Sequence, residues 1–305
     1  MMELSLVITT RDRATQLKKC LDHLTMVAAS HSWELIVVDN GSTDGTRDVL
    51  DNFSQSTTVP VTVLTEPVAG QGRARNTGLA AVRGEIVAFT DDDCYVASDY
   101  VDQAIAVFQD PRIGYCGGRV NLYDPSDYPI TIKESEVPAL FAPRTALEAG
   151  TIHGANMIFR TRALKEIGGF DDAFGAGTRF SCDDIDACAR ASFAGFWGAY
   201  APGPLVFHHH GRKAAAVPKL ERSYAIGRGA YLAKFTLRRD SWRIYLKIWY
   251  WRLVTSLGRS RDERRERLQE LEGAFRYLIY RLSCVLKNGL MLRVGLDRDS
   301  KSRNG

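Results

Sequence analysis

The chain has 305 residues, 45% apolar and 25% charged, with a formal net charge of +4. These proportions exclude a disordered or collagen-like chain and allow one large α/β domain, with or without an appendage. The charge is unevenly placed. Residues 1–211 carry 17 Lys and Arg against 27 Asp and Glu, a balance of −10, whereas residues 212–305 carry 23 against 9, a balance of +14; the acidic part argues against nucleic acid as a partner, and the two parts face different partners or each other.

Leu4–Thr10 is a β-branched apolar run and predicts a first strand, followed by a polar turn at Arg11, Asp12 and Arg13. Leu17, Leu21 and Leu24 recur at helical spacing. A second strand over 34–38 ends on Asp39 and a run of turn residues that reaches Thr46. A helix over 46–53 and a third strand over 61–66 follow. Gly70, Gln71 and Gly72 then open a helix that carries Arg73, Arg75 and Asn76 to about Val82. A buried strand over 86–90 runs directly into Asp91, Asp92 and Asp93. This alternation predicts a Rossmann-like, mainly parallel sheet with helices on both faces. Further on, the pattern predicts a helix over 99–108, a strand at Ile113–Leu122 and a ligand-touching loop over 123–148. After the loop come a strand over 151–160, a short helix over 162–167 and a helix over 183–194 with an acidic first turn. A last strand over 197–207 ends in His208, His209 and His210.

From Arg212 the chain turns helical and basic, predicting a C-terminal extension over 212–305. Trp242, Tyr245, Leu246, Trp249, Tyr250, Leu253, Val254 and Leu257 share one helical face; Leu271, Phe275, Leu278, Ile279, Leu282, Val285 and Leu286 form a second stripe. Apolar stripes of this kind predict packing as core, on the preceding α/β part or on a second subunit. Trp and Tyr flanked by basic residues also fit an anionic membrane surface. No run of about 20 apolar residues exists, so no transmembrane helix is predicted. Arg11 and Arg13 break the first apolar run, which predicts no secretory signal. Cys20, Cys94, Cys116, Cys182, Cys188 and Cys284 form no CxxC pair and fit a reducing cytosol. The expected location is cytoplasmic, peripheral on the inner face of the membrane if the basic extension binds lipid.

Three consecutive carboxylates at the C-terminal edge of a strand repel one another and invite a divalent cation, Mn²⁺ or Mg²⁺ by the hardness of oxygen donors. A solvated acidic turn fits the same residues. The glycines near Arg73 and Arg75 suit a phosphate at a helix start, but Gly70, Gly72 and Gly78 do not make a dinucleotide fingerprint, and no phosphate-binding GxxxxGK[ST] loop occurs.

In order along the chain stand Val7-Ile8-Thr9-Thr10 with Arg13, Val37-Val38-Asp39-Asn40-Gly41-Ser42, Gly72-Arg73-Ala74-Arg75-Asn76, Asp91-Asp92-Asp93, Gly154-Ala155-Asn156, Gly168-Gly169-Phe170-Asp171 and Asp183-Asp184 with Arg190. With this ordered set, residues 4 to about 212 resemble the family 2 glycosyltransferases, which have a GT-A fold. The resemblance implies a catalytic domain over 1–211, with a nucleotide-sugar half to about 95 and an acceptor half from about 96. It implies metal-dependent, inverting transfer of a sugar from a nucleotide-diphospho sugar to a hydroxyl of a glycan or lipid-linked acceptor, in cell-surface or extracellular polysaccharide assembly.

By the same resemblance, Asp93 is a metal ligand, joined by Asp91 and His208. Asp92 and Asp91 hold the donor's ribose, and Asp39 meets its base beside Thr9. Arg11, Arg13, Arg73 and Arg75 line the donor site, Asn156 and Asp183 line the acceptor and sugar pocket, and Asp184 is the base. Two positions depart from the family pattern: Arg11-Asp12 stand where an aromatic residue and Asn are usual, and Asp183 replaces Glu. A nucleotidyltransferase and a non-catalytic protein that binds membrane or nucleic acid through its basic tail are the alternatives. A nucleotidyltransferase would open with a glycine-rich loop after its first strand, where this chain has Thr10-Arg11-Asp12-Arg13.

Overall fold

The computed structural model describes residues 2–256 and 260–302, with side chains described to Lys287 in the last helix. It divides into two compact units, Met1–Ser223 and Tyr224–Gly305. The boundary falls later than residue 211 because the chain after His210 stays tied to the first unit. There Gly211 N–H and Lys213 Nζ donate to Asp127, at 2.8 and 2.7 Å, and Tyr128 N–H donates to the Arg212 carbonyl.

In the first unit the strands are β1 (Leu4–Thr10), β2 (Trp33–Asp39), β3 (Val61–Thr65), β4 (Ile86–Asp91), β5 (Cys94–Val96), β6 (Ile113–Leu122), β7 (Ala139–Phe141), β8 (Met157–Arg160) and β9 (Trp197–His208). Between them lie α1 (Ala14–Leu24), α2 (Thr46–Ser56), α3 (Gln71–Ala81), α4 (Tyr100–Val107), α5 (Thr161–Glu166) and α6 (Asp183–Phe193). They form one sheet in the order β3-β2-β1-β4-β8-β6-β9-β5, with β7 on β9. β3, β2, β1 and β4 are mutually parallel, which follows from their helical crossovers. β8 then enters antiparallel to both β4 and β6, so the parallel order predicted from the alternation stops there. The predicted strand over 151–160 is a single helical turn, Gly154–Asn156, followed by β8. Strands β5 and β7 were not legible as separate elements.

Apolar residues of β1, β2 and β4 are almost wholly buried. α3 lies close on β1: a Cβ added at Gly78 would sit 2.6 Å from Val7 Cγ1. The chain leaves β1 toward β2 on one side, and β4 takes the other side. The C-terminal ends of β1 and β4 therefore border the point where strand order reverses, the usual ligand crevice of an open α/β sheet.

The second unit contains most of α7 (Val217–Thr236), then α8 (Trp242–Ser256) and α9 (Arg261–Ser302). Its interior is small and aromatic: Tyr231, Phe235 and Tyr245 stack together, and the Tyr231 and Tyr245 hydroxyls lie 2.6 Å apart. Glu270 is fully buried and accepts from Arg228, Arg252 and Arg267. Those cations hold its carboxyl below the ordinary value, outweighing the effect of burial. The two predicted stripes are not covered by the described residues of this single chain. Tyr245 is buried, but Leu246, Tyr250, Leu253 and Val254 on α8 and Leu271, Phe275, Leu278, Ile279, Leu282, Val285 and Leu286 on α9 are exposed. Tyr245 of the α8 stripe meets the aromatic interior, and periodicity carries no information about what covers a face. Leu257 lies outside the described residues.

Candidate active site

The three aspartates leave β4 in different directions, as successive residues at a strand end must. Asp91 Oδ1 accepts from Gln71 Nε2 at 3.0 Å and from Arg75 Nη2 at 3.2 Å. Asp92 accepts from the Thr10 hydroxyl at 2.6 Å and pairs with Arg13 Nε at 2.8 Å. Asp93 accepts from Arg13 Nη2 at 2.6 Å, and its Oδ1 lies 3.3 Å from His208 Nε2. Burial pushes Asp92 up to about 7 against the opposing pull of Arg13 and Thr10. Asp91 is likewise raised by burial. Asp93 is lowered despite its burial, because His208 and Arg13 stabilise its charge.

Donor atoms of Asp91, Asp93, Cys94 and His208 all lie within 4.8 Å of one another. Two carboxylates and an imidazole are a donor set suited to Mn²⁺ or Mg²⁺. Burial keeps the Cys94 thiol protonated, its acidity well below that of a free thiol, so sulfur adds little to such a set.

Arg75 joins this cluster to the acidic start of α6. It is 1% exposed, and its guanidinium donates to Asp91, to Asp183 and to the Gly154 carbonyl, the last at 3.2 Å. The Gly154 N–H in turn donates to Asp184 Oδ2 at 2.9 Å, and the Ile185 N–H donates to Asp184 Oδ1 at 2.7 Å. Burial first, and Asp183 second, push Asp184 up to about 6, with the two amides and Arg75 opposing. Asp186 is fully buried against Arg190 Nε at 2.8 Å.

The other expected site residues divide into two groups. Asp39 ends β2 buried, its Oδ1 accepting from Ser42 N–H at 2.9 Å, and Thr9 lies in register with both Val38 and Asp91. Arg13 meets the aspartates directly. Arg73 does not: it pairs with Asp172 at 3.1 Å, with both side chains largely in solvent. Arg11 is half-exposed and lies 3.6 Å from Asp12. Asn156 is fully buried and fastens strands together, donating to the Arg119 and Pro204 carbonyls at 2.9 and 3.0 Å and accepting from the Tyr100 hydroxyl. Of the three histidines, His208 faces Asp93, while His209 Nδ1 lies 2.9 Å from the Tyr95 hydroxyl, so neighbours in the strand do face different partners.

Thr10, Gln71, Gly154 and Cys94 were given no site role from the sequence. A hydroxyl at a strand end and an amide at a helix start beside the triplet were the available signals.

Among curated proteins, glycosyltransferase AglE of Haloferax volcanii is 24% identical over 82% of this chain and 80% of its own length. The pre-mycofactocin glycosyltransferase of Mycobacterium tuberculosis is 28% identical over 68% of this chain, which spans only 43% of that protein. Among solved structures, a Pyrobaculum calidifontis mannosyltransferase in complex with GDP-Man and Mn²⁺ superposes with a TM-score of 0.63 at 20% identity, covering 96% of this chain and 80% of that one. S. aureus TarS in complex with UDP-GlcNAc gives 0.53 at 16% identity, over 78% and 68%. These two likenesses establish a GT-A fold. The glycosyl transferase family 2 model matches residues 5–168, which carry the strand order reversal and the aspartate triplet, while Asp183, Asp184 and His208 lie beyond it. With more than half of its length matched in this way, the chain belongs to glycosyl transferase family 2 and is a glycosyltransferase.

Proposed function

We propose that the protein transfers a sugar from a nucleotide-diphospho sugar to an acceptor hydroxyl, with inversion and with a divalent cation, Mn²⁺ or Mg²⁺. The observation that carries this reading is the linkage through Arg75 of a cation-competent cluster, Asp91, Asp93 and His208, to a carboxyl raised to about 6, Asp184. The complexes of the structural neighbours with GDP-Man and Mn²⁺ and with UDP-GlcNAc support the donor class.

Asp91, Asp93 and His208 would hold the cation, which as a Lewis acid stabilises the negative charge that develops on a leaving diphosphate. Arg13 fixes Asp92 and Asp93, and Arg75 fixes Asp91, so these carboxylates stay oriented as substrate arrives. Asp39 and Thr9 line the base and ribose end of the donor site with Asp92. Arg11 and Arg73, both in solvent, reach a donor only by leaving the partners they have now. Asp184 takes the acceptor hydroxyl proton; the acceptor oxygen forms its bond to the anomeric carbon, and the bond from that carbon to the diphosphate oxygen breaks with its electron pair on the leaving group. Two backbone amides hold Asp184 in place for this step, and Asp183, gripped by Arg75, borders the acceptor side. Asn156 contributes by fixing the strands beneath.

Release of nucleoside diphosphate from a panel of nucleotide sugars, with Mn²⁺ or Mg²⁺, tests the reading. Transfer should vanish in Asp184→Asn while donor binding persists, and Asp93→Ala should lose cation-dependent donor binding. Transfer unaffected by chelator, or retained by Asp184→Asn, refutes it.

The acceptor fits a glycan or a lipid-linked sugar in cell-surface or extracellular polysaccharide assembly. Supporting a lipid surface, α8 carries Arg243 and Lys247 and no carboxylate, beside its exposed Leu246, Tyr250, Trp251, Leu253 and Val254. No helix among the described residues is long and apolar enough to cross a membrane. On the strength of that basic, apolar face of α8, the proposal is of a cytoplasmic protein, peripheral on the inner membrane face.

A further inference from the structure

We infer that Thr131 is a positioning residue for His208: its hydroxyl oxygen accepts a hydrogen bond from Nδ1–H and so keeps Nε2 directed toward Asp93 and the cation site. This rests on the cation reading above.

Thr131 has φ +58, a left-handed conformation that a β-branched residue rarely adopts and that persists only where its surroundings enforce it. The enforcement is visible on both sides. Tyr128 N–H donates to the Arg212 carbonyl at 2.8 Å, and Val120 and Lys133 exchange backbone hydrogen bonds of 2.9 and 2.8 Å. The turn so held brings Thr131 Oγ1 to 3.4 Å from His208 Nδ1.

The direction of the proton follows from the hydroxyl's inventory. Thr131 has one hydroxyl hydrogen, and it is donated to the Ile130 carbonyl at 2.6 Å. What Oγ1 then offers the imidazole is a lone pair, so Nδ1 must carry a hydrogen. Nε2 faces a carboxylate oxygen, Asp93 Oδ1, at 3.3 Å, so it either donates a hydrogen to that carboxylate or, once that hydrogen is displaced, presents its lone pair to a cation shared with Asp91. In both cases the Nδ1 hydrogen stays directed at Thr131, and fixing the far ring nitrogen of a metal-binding histidine is how proteins orient such a ligand. Sequence spacing gives no hint of it, since Thr131 lies 77 residues before His208.

The experiment uses the full chain and Mn²⁺ alone. Free Mn²⁺ is followed by electron paramagnetic resonance, and the His208 tautomer by ¹⁵N NMR. Wild type should bind, and His208→Ala should not. Thr131→Val, which keeps the β-branched backbone demand but has no hydroxyl, should bind about 10–100-fold more weakly, the usual effect of losing such a partner. Thr131→Ser should restore binding to near wild type. Nδ1 of His208 should carry a hydrogen in wild type, and this preference should be lost in Thr131→Val. If Thr131→Val does not fold, Thr131→Gly removes both hydroxyl and strain, and should show the same weakening. No Mn²⁺ binding by wild type, or full binding by His208→Ala, overturns the cation reading itself. Wild-type affinity in Thr131→Val or Thr131→Gly, with binding lost in His208→Ala, overturns the role of Thr131 alone. A wild-type His208 ring with no hydrogen on Nδ1 overturns the hydrogen-bond direction argued for Thr131.

Discussion

Replacing Arg75 with Met tests the junction between the two acidic groups. The guanidinium is buried and faces Asp91 and Asp183, with Asp184 one peptide further on. A unit charge pair at about 4 Å attracts by about 4 kcal/mol at an effective dielectric of about 20, and much of that is cancelled by the cost of burying the ions. Removing only the cation keeps the burial cost of the carboxylates and loses the attraction, so Arg75→Met should destabilise the first unit by about 3–5 kcal/mol. Urea unfolding read by hydrogen exchange on β4 and α6 isolates that unit. The double variant Arg75→Met, Asp183→Asn removes one uncompensated charge as well, and should be less destabilised than the sum of the single variants by at least about 1 kcal/mol. Arg75 also lowers Asp184, so the single variant should move the Asp184 titration upward. A loss under about 1 kcal/mol, or strictly additive single effects, would refute the claim that Arg75 neutralises both sites.

Three further outcomes follow from the same geometry. Asp184 is raised to about 6, so a base at this position is active only above it: kcat/KM should rise with pH through about 6, and a limb at the ordinary carboxylate value of about 4 counts against the assignment. The same raised value means that the folded chain holds this proton more tightly than the unfolded chain, so its contribution to stability falls as pH rises from about 4 to about 6. Gly78→Ala should cost about 1–3 kcal/mol in chemical denaturation despite the better helix propensity of Ala, because the new methyl meets Val7 Cγ1; adding Val7→Ala should recover part of the loss. The full chain should co-sediment with vesicles of anionic lipid at low salt, less so at high salt, and not with neutral ones. Failure to sediment, together with a mass that rises with protein concentration, would assign the apolar faces of α8 and α9 to a second copy of the chain.

What the sequence made legible was local. β1 and β4 could be bounded because apolar runs stop at polar residues, and the first half of the sheet follows from strands and helices in alternation. The reversal at β8 was not legible, because strand direction is set by which neighbours a segment meets, and four residues carry no directional signal. The stripes of α8 and α9 are present as apolar faces, and the described residues of one chain leave most of them exposed. An apolar periodicity specifies a face, and the covering partner is a separate fact.

Arg75 shows the same limit at the site. An arginine in the first turns of a helix is ordinarily solvated, and nothing in Gly72-Arg73-Ala74-Arg75 distinguishes the two arginines by composition. Their fates differ through partners distant in the chain: Arg73 meets Asp172 at the surface, whereas Arg75 turns inward to Asp183, 108 residues away. Helical geometry supplies the reason, since residues two apart point to nearly opposite sides and only one of them can face the sheet edge. The motif places two cations at a helix start, and the fold assigns one of them to hold β4, the Gly154 turn and α6 together. A phosphate role for Arg75 would require it to abandon two carboxylates that it alone links, so its effect on a donor acts through Asp91 and Asp183. Donor affinity in Arg75→Met should accordingly change through the cation: measured without Mn²⁺ or Mg²⁺, nucleotide-sugar binding should match wild type, and a loss that persists without the cation would show direct phosphate contact instead.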